Sequence, residues 1–141
     1  MPPRFSLPLL PATLLAAALA GPACAATLTI EVQQVATAQG NLMVAIYDQA
    51  DQWLKTPLRG LRQAAVAGTM TLQVPDMPEG DYAVSLFLDR NGNGKLDTNP
   101  LGMPTEPYAF SNDAAGAYGP PRYEQARFSV QGDTRAVIHL P

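Results

Sequence analysis

The sequence predicts an all-β protein: an antiparallel β-sandwich of six to seven strands with one long Gly/Pro-rich loop. Three observations predict it. Short runs of alternating apolar and polar residues recur along the chain, the period of a strand with one buried face. Gly, Pro, Asn and Asp separate these runs, and 14 Pro plus 11 Gly among 141 residues disfavour a helix bundle. Only 15% of residues are charged against 47% hydrophobic, which excludes a coiled coil and supplies a two-layer core.

The first segment lies outside the sandwich. Residues 1–26 have the layout of a secretory signal peptide. Arg4 supplies the positive start, and Leu9 to Ala20 is almost wholly apolar, interrupted by Pro11 and Thr13. Gly21-Pro22 breaks that core, and Ala23-Cys24-Ala25 is a small-x-small cleavage site. The apolar core is too short for a membrane span, which needs roughly 20 residues. Acylation at Cys24 is disfavoured, because the bulky aliphatic residue of a lipobox is missing three positions upstream. Cleavage after Ala25 or Ala26 leaves a single domain, 27–141, exported to the periplasm or the extracellular space. It is expected to be a monomer with no membrane attachment.

Removal of the segment takes away the only Cys and leaves eight basic against twelve acidic residues, a net charge of −4. That balance disfavours a nucleic-acid partner. One Cys and one His in the whole chain exclude a Cys/His zinc site and a disulfide framework.

The strands follow in order. In Thr27 to Val32 the apolar residues Leu28, Ile30 and Val32 share one face. Gly40-Asn41 marks a turn, after which Leu42, Val44 and Ile46 alternate up to Asp48. Met70, Leu72 and Val74 share a face of Thr69 to Val74, and Pro78-Glu79-Gly80-Asp81 is a turn cluster. Tyr82, Val84, Leu86 and Leu88 form the most regular strand. Arg127 to Val130 and Arg135 to Leu140 alternate again, and Gly132-Asp133 between them predicts a hairpin.

Two stretches do not alternate. Gln49 to Gln63, with Trp53, Leu54, Leu58 and Leu61, is expected to hold a helical turn before Pro57. Asp89 to Pro121 is the long loop, with five Gly and five Pro. Unstructured loops of that length in a small domain are usually functional or disordered. Its aromatics, Tyr108, Phe110 and Tyr118, argue against disorder. With Tyr123 they are expected to pin the loop to the sheet, and Trp53 is expected to plug one end of the sandwich.

The loop carries the one chemical signal. In Asp89-Arg90-Asn91-Gly92-Asn93-Gly94-Lys95-Leu96-Asp97, oxygen-bearing side chains occupy positions 1, 3, 5 and 9 of a calcium loop counted from Asp89. Gly94 stands where such a loop turns sharply, and Lys95 would contribute its backbone carbonyl. Ca²⁺ takes six to eight hard oxygens, and this spacing curls them around one point. An EF-hand would have a bidentate Glu at position 12, where this chain has Pro100. Another group must therefore complete the site. Glu106 is the first candidate; Asp113, Asn99 and Asn112 are further ones. The expected metal set is Asp89, Asn91, Asn93, Lys95, Asp97 and Glu106. The competing reading is a metal-free turn, since Asp, Asn and Gly also suit turns by themselves.

These residues, followed by Gly102-Met103-Pro104-Thr105-Glu106-Pro107-Tyr108-Ala109-Phe110-Ser111-Asn112 and Gly119-Pro120-Pro121, resemble the secreted bacterial family called domain of unknown function 2141. The strand Gly80-Asp81-Tyr82-Ala83-Val84 fits as well, so the resemblance covers essentially the whole mature chain. Ala109 departs from the pattern, standing where Gly is expected between the aromatics. The resemblance implies a prealbumin-like or immunoglobulin-like sandwich exported by Gram-negative bacteria, and it implies no activity.

No catalytic set assembles from the sequence. The only His, His139, sits near the C-terminus on the last strand and reads as a surface or edge-strand residue. Ser85 and Ser111 have no basic partner in view. The expected function is a non-enzymatic exported module that binds a protein or glycan partner, its long loop ordered by Ca²⁺. The alternative is a hydrolase acting through the loop carboxylates, alone or with a metal.

Overall fold

The computed structural model describes residues 25–141, so the expected signal segment lies outside the described residues except for Ala25 and Ala26. Among the described residues eight strands form: β1 (Ala26–Val35), β2 (Asn41–Tyr47), β3 (Arg59–Ala64), β4 (Gly68–Met77), β5 (Gly80–Asp89), β6 (Tyr108–Phe110), β7 (Phe128–Val130) and β8 (Thr134–His139). One turn of helix, α1 (Tyr123–Ala126), precedes β7, and 3-10 turns lie at Ala50–Gln52 and Ser111–Asp113.

The strands pack as two sheets. The smaller has the order β4-β1-β8; the larger runs β3-β2-β5-β6, with β7 also paired to β5. The predicted faces meet between them. Leu28, Ile30 and Val32 of β1, Met70, Leu72 and Val74 of β4, and Ile138 of β8 are buried from one side. Leu42, Val44 and Ile46 of β2 and Tyr82, Val84, Leu86 and Leu88 of β5 are buried from the other. All belong to one continuous apolar cluster, whose burial is the main force holding the sheets together.

Two bulges extend that cluster beyond simple alternation. In β4, Asp76 has φ +58 and the register shifts, so that Met77 turns inward opposite Ala26. In β1, Gln34 has φ +64 and a second shift brings Val35 inward opposite Gly68. An extra residue on one strand produces both effects. Arg59 caps the first bulge from the other sheet, donating from Nη1 to the Pro75 carbonyl at 2.6 Å and from Nη2 to the Asp76 carbonyl at 2.8 Å.

The sandwich differs from expectation in three respects. It has eight strands rather than six to seven. β3 lies at the sheet edge with most of its residues exposed, so it carries no apolar alternation. β6 is three residues long, within the stretch expected to be loop. The arrangement is not wholly antiparallel, because β8 pairs with β1 in parallel. The predicted hairpin at Gly132-Asp133 does not form: β7 pairs with β5 and β8 with β1, so that turn crosses between sheets. The helical turn expected before Pro57 is the short 3-10 turn at Ala50–Gln52.

Candidate metal centre

β5 ends at Asp89, and the chain leaves the larger sheet in a tight acidic loop. Asp89 is fully buried at the root of that loop. Its Oδ1 accepts the Asn93 N–H at 3.2 Å and its Oδ2 accepts the Gly94 N–H at 2.8 Å. Asn91 Oδ1 accepts the Asn93 N–H at 3.2 Å, and Asn93 Oδ1 accepts the Lys95 N–H at 3.0 Å. Gly92 and Gly94 take φ of +71 and +77, the left-handed region that glycine enters without steric cost.

Asp97 closes the far side. Its Oδ1 accepts from Asn93 Nδ2 at 2.7 Å and its Oδ2 accepts from Asn91 Nδ2. Glu106 then ties the two ends together. Its buried carboxylate accepts the Arg90 N–H at 2.9 Å through Oε1 and the Asp97 N–H at 3.0 Å through Oε2. Thr105 reinforces the closure, its N–H donating to the Asp97 carbonyl at 2.8 Å.

The five oxygen-bearing side chains of the expected set, Asp89, Asn91, Asn93, Asp97 and Glu106, thus belong to one hydrogen-bonded loop. Lys95 lies in the same loop, with its N–H engaged by Asn93. The further candidates lie elsewhere. Asn99 organises the next turn, accepting the Leu101 and Met103 N–H groups at 2.9 and 3.0 Å. Asn112 donates to the carbonyls of Gln125 and Arg127, and Asp113 pairs with His139.

The donor chemistry defines what the loop could hold. Among the described residues, no three Asp, Glu, His or Cys side chains form a metal-holding group by themselves. A cation here would have to draw on amide and backbone oxygens as well, the donor type that Ca²⁺ accepts and a softer metal does not favour. Among the described residues, the ion pairs are Arg127–Asp81, Arg135–Glu31 and His139–Asp113, so the carboxylates of Asp89, Asp97 and Glu106 have no cationic partner. Asn91 and Asn93 turn their amide nitrogens, not their oxygens, toward Asp97. Their oxygens accept the Asn93 and Lys95 N–H groups, so a cation would have to share those oxygens with the backbone.

The aromatics divide. Phe110 and Tyr123 are buried against Tyr47 and Trp53 in a second apolar cluster on the outer face of the larger sheet. Trp53 therefore packs on a sheet face rather than plugging an end of the sandwich. Its Nε1 donates to the Pro121 carbonyl at 2.8 Å, fastening the end of the long loop. Tyr108 is half-exposed and packs edge-on to Phe110. Tyr118 is fully exposed and pins nothing. Ala109 is compatible with its place: it sits on β6 opposite Leu86, in extended backbone that does not require glycine.

Sequence reasoning did not find a three-residue clamp at Ser111–Asp113. Ser111 Oγ accepts the Val84 N–H at 2.9 Å and donates to the Ala126 carbonyl. Asn112 holds the α1–β7 junction, and Asp113 holds β8 through its pairing with His139 at 2.7 Å. Burial would raise the Asp113 carboxyl. Two hydrogen bonds from His139 and its charge outweigh burial and hold the group below the ordinary carboxylate range. The short polar run Ser-Asn-Asp was the visible signal, but its partners are distant in sequence.

No curated protein and no solved structure matches the chain. A family profile described as "uncharacterized protein conserved in bacteria (DUF2141)" matches residues 30–138, from the middle of β1 to the end of β8. That span includes the acidic loop, Glu106 and the Ser111–Asp113 clamp, and the chain belongs to the DUF2141 family.

Proposed function

We propose that this protein is an exported, non-enzymatic β-sandwich module that binds a partner or ligand at its surface and whose Asp89–Glu106 loop is organised by calcium. One observation carries the calcium reading. Glu106 joins Arg90 to Asp97 through its two oxygens, and Asp97 gathers Asn91 and Asn93. Ca²⁺ bound there would relieve the repulsion between uncompensated carboxylates and take oxygen ligands from Asp89, Asn91, Asn93 and Asp97, with the Lys95 carbonyl. Glu106 would serve as a ligand or as the clasp that holds Asp97 in place.

Thermal unfolding of chelated protein with and without Ca²⁺ tests the proposal. At 100 times the dissociation constant, calcium should stabilise the fold by about 2.7 kcal/mol. Asp89→Asn should weaken that gain, and Asp97→Ala should weaken or abolish it. An unchanged melting temperature at millimolar Ca²⁺ would remove the metal from the account.

A further inference from the structure

Asparagine is a thermolabile residue, and its side-chain amide is most open to attack by its own backbone when glycine follows. Glycine has no Cβ to hinder the approach of its nitrogen. Of the five asparagines in the chain, only Asn91 and Asn93 precede glycine. Both pairs lie in the exposed run Asn91 to Lys95. No atom comes within 4 Å of a Cβ placed on Gly92 or Gly94, so neither pair is shielded by packing.

The two pairs are near copies of each other. Asn91 Oδ1 accepts the Asn93 N–H at 3.2 Å, and Asn93 Oδ1 accepts the Lys95 N–H at 3.0 Å. Each asparagine donates from Nδ2 to Asp97. Gly92 and Gly94 share the left-handed region, with φ of +71 and +77. The pairs differ at the glycine nitrogen. The Gly94 N–H donates to Oδ2 of the buried Asp89 at 2.8 Å. The Gly92 N–H has no acceptor among the described residues. Attack requires that nitrogen without its proton. A hydrogen bond to a carboxylate holds the proton in place, and the Asp89 charge opposes an amide anion beside it.

We propose that Asn91 is a site of spontaneous deamidation and that Asp89 protects Asn93, two residues away, from the same reaction. Hydroxide removes the Gly92 N–H proton, and the nitrogen attacks Asn91 Cγ. The Cγ–Nδ2 bond breaks, and Nδ2 takes a proton from water and leaves as ammonia, which regenerates hydroxide. The product is a five-membered succinimide. Water then opens the ring at the Cγ carbonyl to give aspartate, or at the main-chain carbonyl to give isoaspartate. One water enters, one ammonia leaves, and nothing is oxidised or reduced. Both products lack the Nδ2 donor to Asp97 and add a negative charge to a loop that already holds Asp89 and Asp97. The proposal rests on the hydrogen bonds of the loop and is independent of calcium.

The test is peptide mapping by mass spectrometry of the purified protein, kept with a chelator in mildly alkaline buffer. Trypsin releases Asn91 to Lys95 as one peptide, and fragmentation assigns each exchange of NH₂ for OH to Asn91 or Asn93. In the folded protein Asn91 should convert at least about tenfold faster than Asn93, the factor that one hydrogen bond to a charged acceptor supplies. In denaturant the two rates should converge, because the dipeptides are the same. Asp89→Ala should bring Asn93 up to the rate of Asn91, and the comparison of folded with denatured wild type stands even if that variant does not fold. Equal rates in the folded protein, faster conversion of Asn93, or a difference that persists in denaturant would overturn the proposal. So would an Asn91 that stays intact in the folded protein while the denatured chain converts. Because no cation is present, none of these outcomes bears on the calcium reading, which keeps its own test.

Discussion

Gly40 lies so close to Asp89 that a Cβ on it would stand 2.0 Å from the Asp89 carbonyl oxygen, and its φ of +84 is in the left-handed region. The turn before β2 is thereby packed against the root of the acidic loop, and Asn41 pairs directly with Asp89 across the strands. Both space and conformation require glycine. Gly40→Ala should destabilise the fold by about 1–3 kcal/mol or more in denaturant unfolding. A midpoint equal to wild type would mean that this contact does not fix the loop.

Leu86 tests the core in the same way. It is 2% exposed in the middle of β5, the most regular of the predicted strands. Leu86→Ala should cost about 2–5 kcal/mol, the range for a buried leucine whose site cannot collapse. A change too small to measure would contradict the packing described for the two sheets.

The extent to which the sequence foretold these features follows from how local each one is. Leu28, Met70, Tyr82 and their strand neighbours were legible because a strand with one buried face writes its pattern in adjacent residues. β3 was not, because an edge strand with both faces largely exposed has no such contrast. The bulges at Gln34 and Asp76, the parallel docking of β8 and the crossing of β7 to β5 depend on partners far away in the chain. The hydrogen-bonded acidic loop proposed as the site divides on the same line. Asp89, Asn91, Asn93 and Asp97 were legible from spacing alone, and Glu106 as the nearest spare carboxylate. The approach of Gly40 to Asp89, and the pairing of Asp113 with His139 across 26 positions, exist only once the sheets have formed.

Glu106 separates a clasp from a bystander. Each of its oxygens accepts a backbone N–H, so Glu106→Gln keeps the shape but turns an amide N–H₂ toward one of the two donors. The variant should lose about 1–3 kcal/mol of stability in calcium-free buffer, the cost of leaving a buried donor unpaired. It should also exchange the Arg90 or Asp97 amide proton faster. Wild-type stability and exchange would show that Glu106 does not close the loop.

Acid should loosen the outer face of the smaller sheet. Glu31 is held below the ordinary carboxylate range first by its hydrogen bond from Gln33, which works against burial, and then by Arg135 and the charge of His139. Asp113 is also held low by His139, against burial. Groups depressed on folding add stability that is complete above their unfolded values, near 4, and lost as pH falls through the lower folded values. The unfolding midpoint should therefore drop below about pH 4, and Asp113→Asn should flatten part of that drop. An identical pH profile in the variant would place the acid sensitivity elsewhere.

The most direct measurement of the central claim is calorimetric titration of the chelated protein with Ca²⁺. A saturable heat corresponding to one site is expected, with a dissociation constant of about 10⁻⁴–10⁻³ M, the range of extracellular calcium modules, and its loss in Asp97→Ala. A wild-type titration with no saturable heat at millimolar Ca²⁺ would contradict it, and Asp89 to Asp97 would then be a hydrogen-bonded turn closed by Glu106.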